Sequence, residues 1–343
     1  MQKSFLYYKL SFVAFAIVLF TSCRKENGID NDTVIKKPYG LYIGTSQGAL
    51  LNTNDGELYK TIFPPDGYPQ RSLVYSGPNI IMIKDRVHVS EDNGRNFNPK
   101  YFFAHPFPSW QSMMLVVPSH NRVYLSNFNF GARSVAYSED NGVKWVVDGE
   151  WGIDVLGEDI TSFAQLKNGL LLGHSAVTDS LYKRTDKNAK WEHVKAGQGQ
   201  TSTGLPPAGR FYINRMENTL IATDYTGLNG VQYSDDNGLN WKQYQGTLPT
   251  RPLYATNAPF DQVLLVGTDS MGVYKLKNGT LAPANNGLEE NTSVFAIIGK
   301  EDIYKNDATR RYIYIATDKG LYRSNDLGEN WHIVQPGDYR ALY

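Results

Sequence analysis

One eight-residue pattern recurs along the chain and limits the folds open to it. It reads SEDNGVKW at residues 138–145, and nearly the same letters return at 234–241 and 324–331. A copy that ends in Phe instead of Trp occupies residues 90–97. Self-similarity at a regular spacing is typical of proteins in which one supersecondary unit is repeated several times. The chain is therefore expected to consist of repeated units.

The spacing of the copies predicts how many units there are. The aromatic residues that end the four copies are Phe97, Trp145, Trp241 and Trp331. They lie 48, 96 and 90 residues apart, so each longer interval should contain a degenerate copy. RTDKNAKW at 184–191 is one, an eroded copy is expected within 272–283, and a shortened copy occupies 48–60. Seven units about 45 residues long are therefore predicted.

Each unit contains four short apolar or alternating runs. In the unit at 160–194 these are ITSFAQL, GLLLG, SLYKR and KWEHV, separated by turn-forming residues. Such runs are typical of β-strands, and no segment shows a sustained helical period. Four strands per unit at this spacing predict an all-β, seven-bladed β-propeller of four-stranded blades.

The two ends of the repeat region predict how the ring closes. The first unit begins at YGLYIG with no strand of its own before it, apart from the preceding polar segment. The last unit is followed by YRALY, which is similar to the first strands of other units, such as SLVYS and PLYAT. The C-terminal residues are therefore expected to supply the missing inner strand of the first blade, which leaves no free sheet edge.

The repeated box resembles the Asp-box, or BNR repeat, S-x-D-x-G-x-x-W, of sialidases, sortilin-type receptors, xyloglucan-cleaving endoglucanases and the photosystem II assembly factor. The resemblance implies that each box joins the third and fourth strands of a blade, on the face away from any active site. A structural role also follows from the residue types, because Ser and Asp bond turn N–H groups and Gly tolerates positive φ. The residues assigned this role are Ser90, Asp92, Gly94, Ser138, Asp140, Gly142, Trp145, Ser234, Asp236, Gly238, Trp241, Ser324, Asp326, Gly328 and Trp331.

The N-terminal segment is not expected to belong to the propeller. Residues 1–22 carry Lys3, Lys9 and a short apolar run, which is typical of a signal peptide. The run ends in Phe-Thr-Ser-Cys, which resembles a bacterial lipobox, and Cys23 is the one cysteine in the chain. Residues 23–38 then form a lipidated, polar tether before the propeller at 39–343. An ordinary cleaved signal with an incidental cysteine is the alternative.

Composition limits the compartment and the partners. The expected lipid places the protein in the bacterial cell envelope, on a membrane that we take to be the outer one, facing either side. The full chain has 34 basic and 34 acidic residues, and loss of Lys3 and Lys9 leaves 32 against 34. No basic run suits a nucleic acid, so no such partner is expected, and Cys23 is the expected contact with the membrane.

Aromatic residues in loops between blades are candidates for binding. The connections at 99–112 and 148–161 contain Phe103, Trp110 and Trp151. Exposed rings stack on sugars or anchor partner proteins, so a glycan or a protein is expected at the channel mouth. The alternative is that these rings pack locally as small satellite cores.

Acidic loop residues are the second group of candidates. Asp224 (followed by Tyr225), Asp269 and Asp318 occupy matching positions in three consecutive units, and Asp154 lies in a blade connection. Three converging aspartates would suit Ca²⁺ or general acid chemistry, whereas separate Asx-turns would make them structural. No other cofactor or metal is predicted. His174 is expected on a solvated loop.

Two functions remain open from the sequence. The first is a lipid-anchored, non-catalytic binding or assembly module, which we take as the prediction. The alternative is a glycoside hydrolase with two opposed carboxylates at the channel mouth. Sialidase activity is not expected, because the Arg-Ile-Pro signature that the family resemblance would require is absent and no arginine lies between Arg24 and Arg71.

Overall fold

A computed structural model of the chain describes residues 35–37, 40–53, 60–67, 72–84, 86–100, 114–126, 135–148, 160–175, 180–194 and 211–343. Cys23 and the loop candidates Phe103, Trp110, Trp151 and Asp154 lie outside these ranges. None of the helices in these ranges has the length and apolar character needed to cross a membrane. The chain divides into two units, one of Tyr39–Glu301 with Arg311–Tyr343 and one of Met1–Pro38 with Asp302–Arg310.

Seven antiparallel sheets of four blade strands each are described, and in the seventh a fifth strand, β1 (Ile35–Lys37), pairs with the end of the first blade strand. The first sheet is completed by the last strand of the chain, and its strands in spatial order are β29 (Tyr339–Leu342), β2 (Leu41–Thr45), β3 (Leu50–Thr53) and β4 (Lys60–Phe63). The second consists of β5 (Ser72–Ser76), β6 (Asn79–Ile83), β7 (Val87–Ser90) and β8 (Asn98–Lys100). The third consists of β9 (Met114–Val117), β10 (Arg122–Ser126), β11 (Val135–Ser138) and β12 (Val146–Val147). A 3-10 turn, Pro118–His120, joins β9 to β10.

The remaining four sheets follow in chain order. The fourth consists of β13 (Ser162–Gln165), β14 (Leu171–Ser175), β15 (Ser180–Arg184) and β16 (Glu192–His193). The fifth consists of β17 (Phe211–Met216), β18 (Thr219–Asp224), β19 (Val231–Ser234) and β20 (Lys242–Gln243). The sixth consists of β21 (Leu253–Asn257), β22 (Leu265–Thr268), β23 (Val273–Lys277) and β24 (Thr280–Pro283), with a 3-10 turn at Pro259–Asp261. The seventh consists of β25 (Val294–Tyr304), β26 (Thr309–Thr317), β27 (Gly320–Ser324) and β28 (His332–Pro336).

The predicted propeller and its predicted closure are confirmed. Seven four-stranded blades form the ring, and β29 pairs antiparallel with β2 as the inner strand of the first blade. The pairing continues past β29, because the N–H of Tyr42 donates to the carbonyl of Tyr343 at 2.8 Å and the reverse bond measures 2.9 Å. Both ends of the repeat region thus share one sheet.

The smaller unit contains β1 (Ile35–Lys37), which pairs antiparallel with the end of β25. Ile35 lies opposite Tyr304, and Lys36 forms an exposed ion pair with Asp307 at 2.8 Å. The guanidinium of Arg310 lies 5.1 Å from the centre of the Tyr304 ring. Chain segments from two distant parts of the sequence thus form this unit.

The apolar core of the propeller lies between neighbouring blades. Successive side chains of a strand point to opposite faces of its sheet, so each blade contributes to two interfaces. Leu41 and Ile43 of the first blade, for example, are fully buried against Tyr314 and Ala316 of the seventh. Stability is therefore distributed around the ring in several interfaces.

The four boxes, including the copy that ends in Phe97, share the same central turn bonds. In each, the Ser hydroxyl donates to the Asp carboxylate at 2.7–2.9 Å, and the Gly N–H donates to the Ser oxygen at 2.7–2.8 Å. The residue before the Gly has a φ of 56–61°, and it is Leu327 in the last copy. A Cβ on Gly142 would lie 2.5 Å from Ile81 of the preceding blade, and one on Gly238 would lie 2.2 Å from Leu181. The box thus closes a hairpin and also fits closely against the neighbouring blade.

The degenerate copy at 184–191 contacts the preceding blade through a different set of side chains. Arg184 replaces the box Ser, and its guanidinium donates to the carboxylate of Asp148, which follows β12 of the preceding blade. Both side chains are buried, and the indole N–H of Trp191 donates to the same carboxylate at 3.1 Å. Arg184 also donates to the carbonyls of Asp186 and Lys187 within the turn. In this copy a buried ion pair between two blades takes the place of the Ser–Asp hydrogen bond of the other boxes.

Two further predictions can be compared with the structure. The eroded copy within 272–283 is a β23–β24 hairpin whose turn residues, Asn278 and Gly279, have φ values of 50° and 78°. Asn-Gly in this conformation is the preferred two-residue hairpin turn, so no box is needed there. The expectation for His174 is wrong, because it is a fully buried residue of β14 whose Nδ1 lies 3.0 Å from the carbonyl of Phe211.

Candidate binding surface at the channel mouth

The direction of the strands determines which side chains meet at each end of the channel. Because the strands of a blade alternate in direction, the first strand begins at the end where the second strand turns into the third. The box turns join the third and fourth strands and so lie at the opposite end. We call the end at which the inner strands begin the channel mouth.

Four aromatic rings from three consecutive blades form a continuous series at the mouth, which we call the mouth arc. It consists of Tyr212, Tyr225, Tyr254 and Phe295. The ring centres of Tyr212 and Tyr225 lie 6.0 Å apart, those of Tyr225 and Tyr254 5.9 Å, and those of Tyr254 and Phe295 5.2 Å. The guanidinium of Arg340, from the first blade, lies 3.8 Å from the centre of the Phe295 ring. All five side chains are partly exposed.

Backbone irregularities set the positions of two of these side chains. In the pairing of β21 with β22, Leu253 lies opposite Thr268 and Ala255 opposite Gly267, so Tyr254 is the extra residue of a bulge. The pairing of β29 with β2 skips Arg340 in the same way. A bulge redirects a side chain relative to the regular strand. From their bulges, Tyr254 contacts rings of the fifth and seventh blades, and Arg340 contacts Phe295 of the seventh.

Arg340 at the end of the arc is paired with an acid, and the phenol of Tyr254 is neutral. Arg340 forms a two-pronged ion pair with Asp338, with both N···O distances at 2.9 Å. Burial raises the pKa of Tyr254, the charge of Asp269 and the neighbouring Tyr225 raise it further, and Arg340 opposes them. Tyr254 therefore remains a neutral hydroxyl at physiological pH.

Asp224 stabilises the turn that carries Tyr225. One carboxylate oxygen accepts bonds from the N–H and hydroxyl of Thr226, at 2.9 and 2.8 Å. The other accepts bonds from the N–H and side-chain amide of Asn229, at 2.9 and 2.8 Å. The Asp224 side chain is fully buried, so this carboxylate orders its own loop.

Asp269 and Asp318 both accept hydrogen bonds from the same residue, Ser293. The Ser293 hydroxyl donates to Asp269 and the Ser293 N–H donates to Asp318, at 3.0 and 2.9 Å. Lys319 lies 3.9 Å from the second Asp318 oxygen. Across the parts of the chain that the structure describes, no three His, Cys, Asp or Glu side chains form a cluster that suits a metal ion.

Apolar side chains extend the arc outward on the loops of the same end. Leu228, on the loop between β18 and β19, is 67% exposed, and Met271, on the loop between β22 and β23, is 43% exposed. Gly227 allows the first loop to approach its neighbour, since a Cβ there would lie 2.1 Å from the carbonyl oxygen of Arg251. The described part of the mouth is thus a partly apolar surface on the fifth to seventh blades.

Comparison with known proteins agrees with this architecture. A family model for the BNR/Asp-box repeat matches residues 232–243, the third full box with the residues on either side. The chain is a β-propeller that contains Asp-box repeats. No curated protein matches its sequence.

Solved β-propellers of several kinds share the fold. YCF48 bound to a D1 peptide is 12% identical with a TM-score of 0.54, over 84% of this propeller chain and 88% of the other. Virginiamycin B lyase from Staphylococcus aureus is 10% identical with a TM-score of 0.56, over 78% and 84%. An ancestral GH74 enzyme is 15% identical with a TM-score of 0.52, over 91% of this chain and 39% of its own. At these identities the likeness shows the fold alone.

The sequence prediction missed most of the mouth arc. The sequence predicts Tyr225 as a candidate but not Tyr212, Tyr254 and Phe295, nor the adjoining Arg340, because these four lie inside strands and not in loops. A signal was nevertheless present, since each follows a buried residue at the start of an inner strand of this propeller. The dipeptides are Phe211-Tyr212, Leu253-Tyr254, Val294-Phe295 and Tyr339-Arg340.

Proposed function

We propose that this propeller is a non-catalytic binding module that holds a segment of a partner protein on its mouth arc. The proposal is carried by the arc itself, a series of partly exposed rings that are continuous across three blades and flanked by Leu228 and Met271. Partly exposed aromatic residues of this kind are typical of energetically important interface positions. YCF48, a propeller with the same fold, has been solved with a peptide bound.

Ring orientation favours a peptide over a glycan. Tyr212 and Tyr225 are inclined at 73°, Tyr225 and Tyr254 at 54°, and Tyr254 and Phe295 at 31°, so the four rings do not lie in one plane. Arg340 covers one face of Phe295. Sugar rings stack on an open aromatic face, whereas apolar side chains of a peptide fit between inclined rings.

The environment of the acidic residues supports binding rather than hydrolysis. Asp224, Asp269 and Asp318 each accept hydrogen bonds from their own turn or from Ser293, and Asp338 is paired with Arg340. A glycoside hydrolase needs one carboxylic acid with a raised pKa and a second carboxylate opposite it. These four carboxylates are thus bonded within the protein, which supports a role in ordering the loops of the mouth.

Replacing Phe295 by Ala is expected to weaken peptide binding at least tenfold. A truncated aromatic hot spot costs about 2 kcal/mol or more, which is roughly thirtyfold in affinity. Peptides should be selected on the wild-type protein from a random library, and their affinities measured with the Phe295→Ala and Tyr254→Ala variants.

The matched control is Tyr233→Ala, which removes a ring that stacks on Tyr244 at 4.3 Å on the outer strands of the fifth blade. This control should bind like wild type. Unchanged affinity in both arc variants, with unfolding midpoints equal to wild type, would contradict the proposal. A glycan array run in parallel distinguishes the alternative, because a glycan that binds in an arc-dependent manner would replace the peptide as ligand.

We also propose that this module is anchored through a lipid on Cys23. The support is the position of the only cysteine directly after an apolar segment that ends in small residues. Wild type and Cys23→Ser should be expressed and the cells fractionated. The wild-type protein is expected in the membrane fraction and the variant in the soluble fraction, and equal partitioning would show that Cys23 is not the anchor.

A further inference from the structure

Lys300 lies on the same inner strand as Phe295, farther from the channel mouth. Five residues separate them, or about 16 Å along an extended strand. Its ammonium group lies 5.2 Å from the centre of the Tyr343 ring. That ring lies 5.2 Å from the ring of Tyr75, whose hydroxyl donates to the hydroxyl of Tyr42. The inner end of the Lys300 side chain is thus bounded by tyrosines of the first two blades.

Lys300 differs from the two most deeply buried lysines in having no anionic partner. Lys84 forms an ion pair with Asp66 at 2.6 Å, and Lys275 forms one with Glu329 at 2.6 Å. Each also donates to a backbone carbonyl. Among the residues described, no carboxylate lies within 4.0 Å of the Lys300 ammonium.

The nearby ionisable groups do not supply the missing charge. Glu301, the next residue, is bonded to Arg311 at 2.6 Å. Burial raises the pKa values of Tyr343 and Tyr75, so both phenols are neutral in the physiological range. Burial also lowers the pKa of Lys300 to about 8. The lysine is therefore mostly protonated at pH 7, as a cation in a poorly hydrated environment.

We propose that Lys300 is the centre of a binding site for a small monocarboxylate. An unpaired, partly desolvated cation is costly, and an anion that enters the site removes that cost. A single ammonium among neutral tyrosines matches one negative charge, whereas a phosphate dianion would leave an excess charge. Because the side chain is partly exposed, a small ion can reach it. The site lies away from the mouth arc and does not depend on the proposed partner.

Acetate is the probe that tests this site. Thermal unfolding of the full chain should be followed at pH 7 in sodium acetate and in sodium chloride of equal ionic strength. At ten times its dissociation constant, acetate is expected to raise the unfolding midpoint by about 2–4 °C relative to chloride. Lys300→Met should abolish this difference, while Lys242→Met, which removes an exposed lysine, should keep it.

The dependence on pH distinguishes binding at Lys300 from a general salt effect. Since the carboxylate binds the protonated amine, the acetate effect should decline as the pH rises above 8. Calorimetry in two buffers at pH 8 should also show uptake of up to about half a proton for each acetate bound. In Lys300→Arg, which remains charged, the acetate effect should persist without this decline.

Three results would overturn the inference: no acetate effect in wild type, an equal effect in Lys300→Met, or binding at pH 8 without proton uptake. If Lys300→Met does not fold, the comparison of wild type with Lys300→Arg decides the question. The same decline with pH in both proteins would then show that a different group binds acetate.

Discussion

Replacement of Asp148 by Ala is expected to lower the free energy of unfolding by about 3–5 kcal/mol. The reason is that Arg184 would remain buried without its carboxylate, at only 4% side-chain exposure. The indole N–H of Trp191 would lose its acceptor at the same time. A cation that is already inside an interface cannot regain its hydration without opening that interface, so the third and fourth blades should separate more easily.

Equilibrium unfolding in denaturant measures this loss. The matched control is Asp235→Ala, which breaks an exposed pair with Lys242 at 3.7 Å and should cost less than about 1 kcal/mol. A double variant, Asp148→Leu with Arg184→Met, should recover most of the stability, because it removes both charges and preserves apolar volume. If the single variant loses no more than the control, the ion pair is not what joins the two blades.

The same ion pair shows what a repeat pattern can and cannot predict. Blade number, strand order and ring closure depend on periodic features, so they follow from the box and from short strands at regular spacing. Arg184 replaces the Ser of one box and therefore appears only as a loss of the motif. Its partner Asp148 is 36 residues earlier in the chain, and nothing local in the sequence connects the two.

The mouth arc was missed for a related reason. Tyr254 and Arg340 occupy bulges, and a bulge changes the direction of a side chain without changing the apolar pattern around it. By sequence, loop residues are the better candidates, because loops often carry function. Asp224 shows the opposite case, since its position before a Gly-containing loop indicated a site and the structure has its carboxylate bonded within its own turn.

Lys300 could not be identified from sequence, because its distinctive property is that no carboxylate of the described residues lies close enough to pair with it. The next residue in the sequence is an acid, Glu301, and adjacency alone would pair its carboxylate with the Lys300 ammonium. Glu301 forms an ion pair with Arg311 instead, because adjacent residues of a strand point to opposite faces of the sheet. Which of several neighbouring charged side chains form ion pairs therefore depends on the three-dimensional structure.

Deletion of residues 338–343 is expected to have the largest effect of any change considered. The deleted strand supplies backbone bonds to the first blade, including those between Tyr42 and Tyr343 at 2.8 and 2.9 Å and that from Ser46 to Asp338 at 3.0 Å. It also supplies the buried Tyr339, which packs with Leu41 and Tyr314. At about 1 kcal/mol for each bond and about 1.5–3 kcal/mol for each buried side chain, the loss approaches the 5–15 kcal/mol that stabilises a typical domain.

The truncated chain is therefore expected to be insoluble or to unfold at a much lower temperature than the full chain. Removal of β29 exposes the edge of β2 next to the channel and separates the first blade from the last, so the ring opens. A synthetic peptide of residues 338–343 provides the matched control, since it should pair with that edge and raise the unfolding midpoint, whereas a peptide with Pro in place of Ala341 should not. Equal midpoints and equal solubility of the truncated and full chains would contradict this account, because they would mean that the interfaces between blades hold the ring closed without the shared strand.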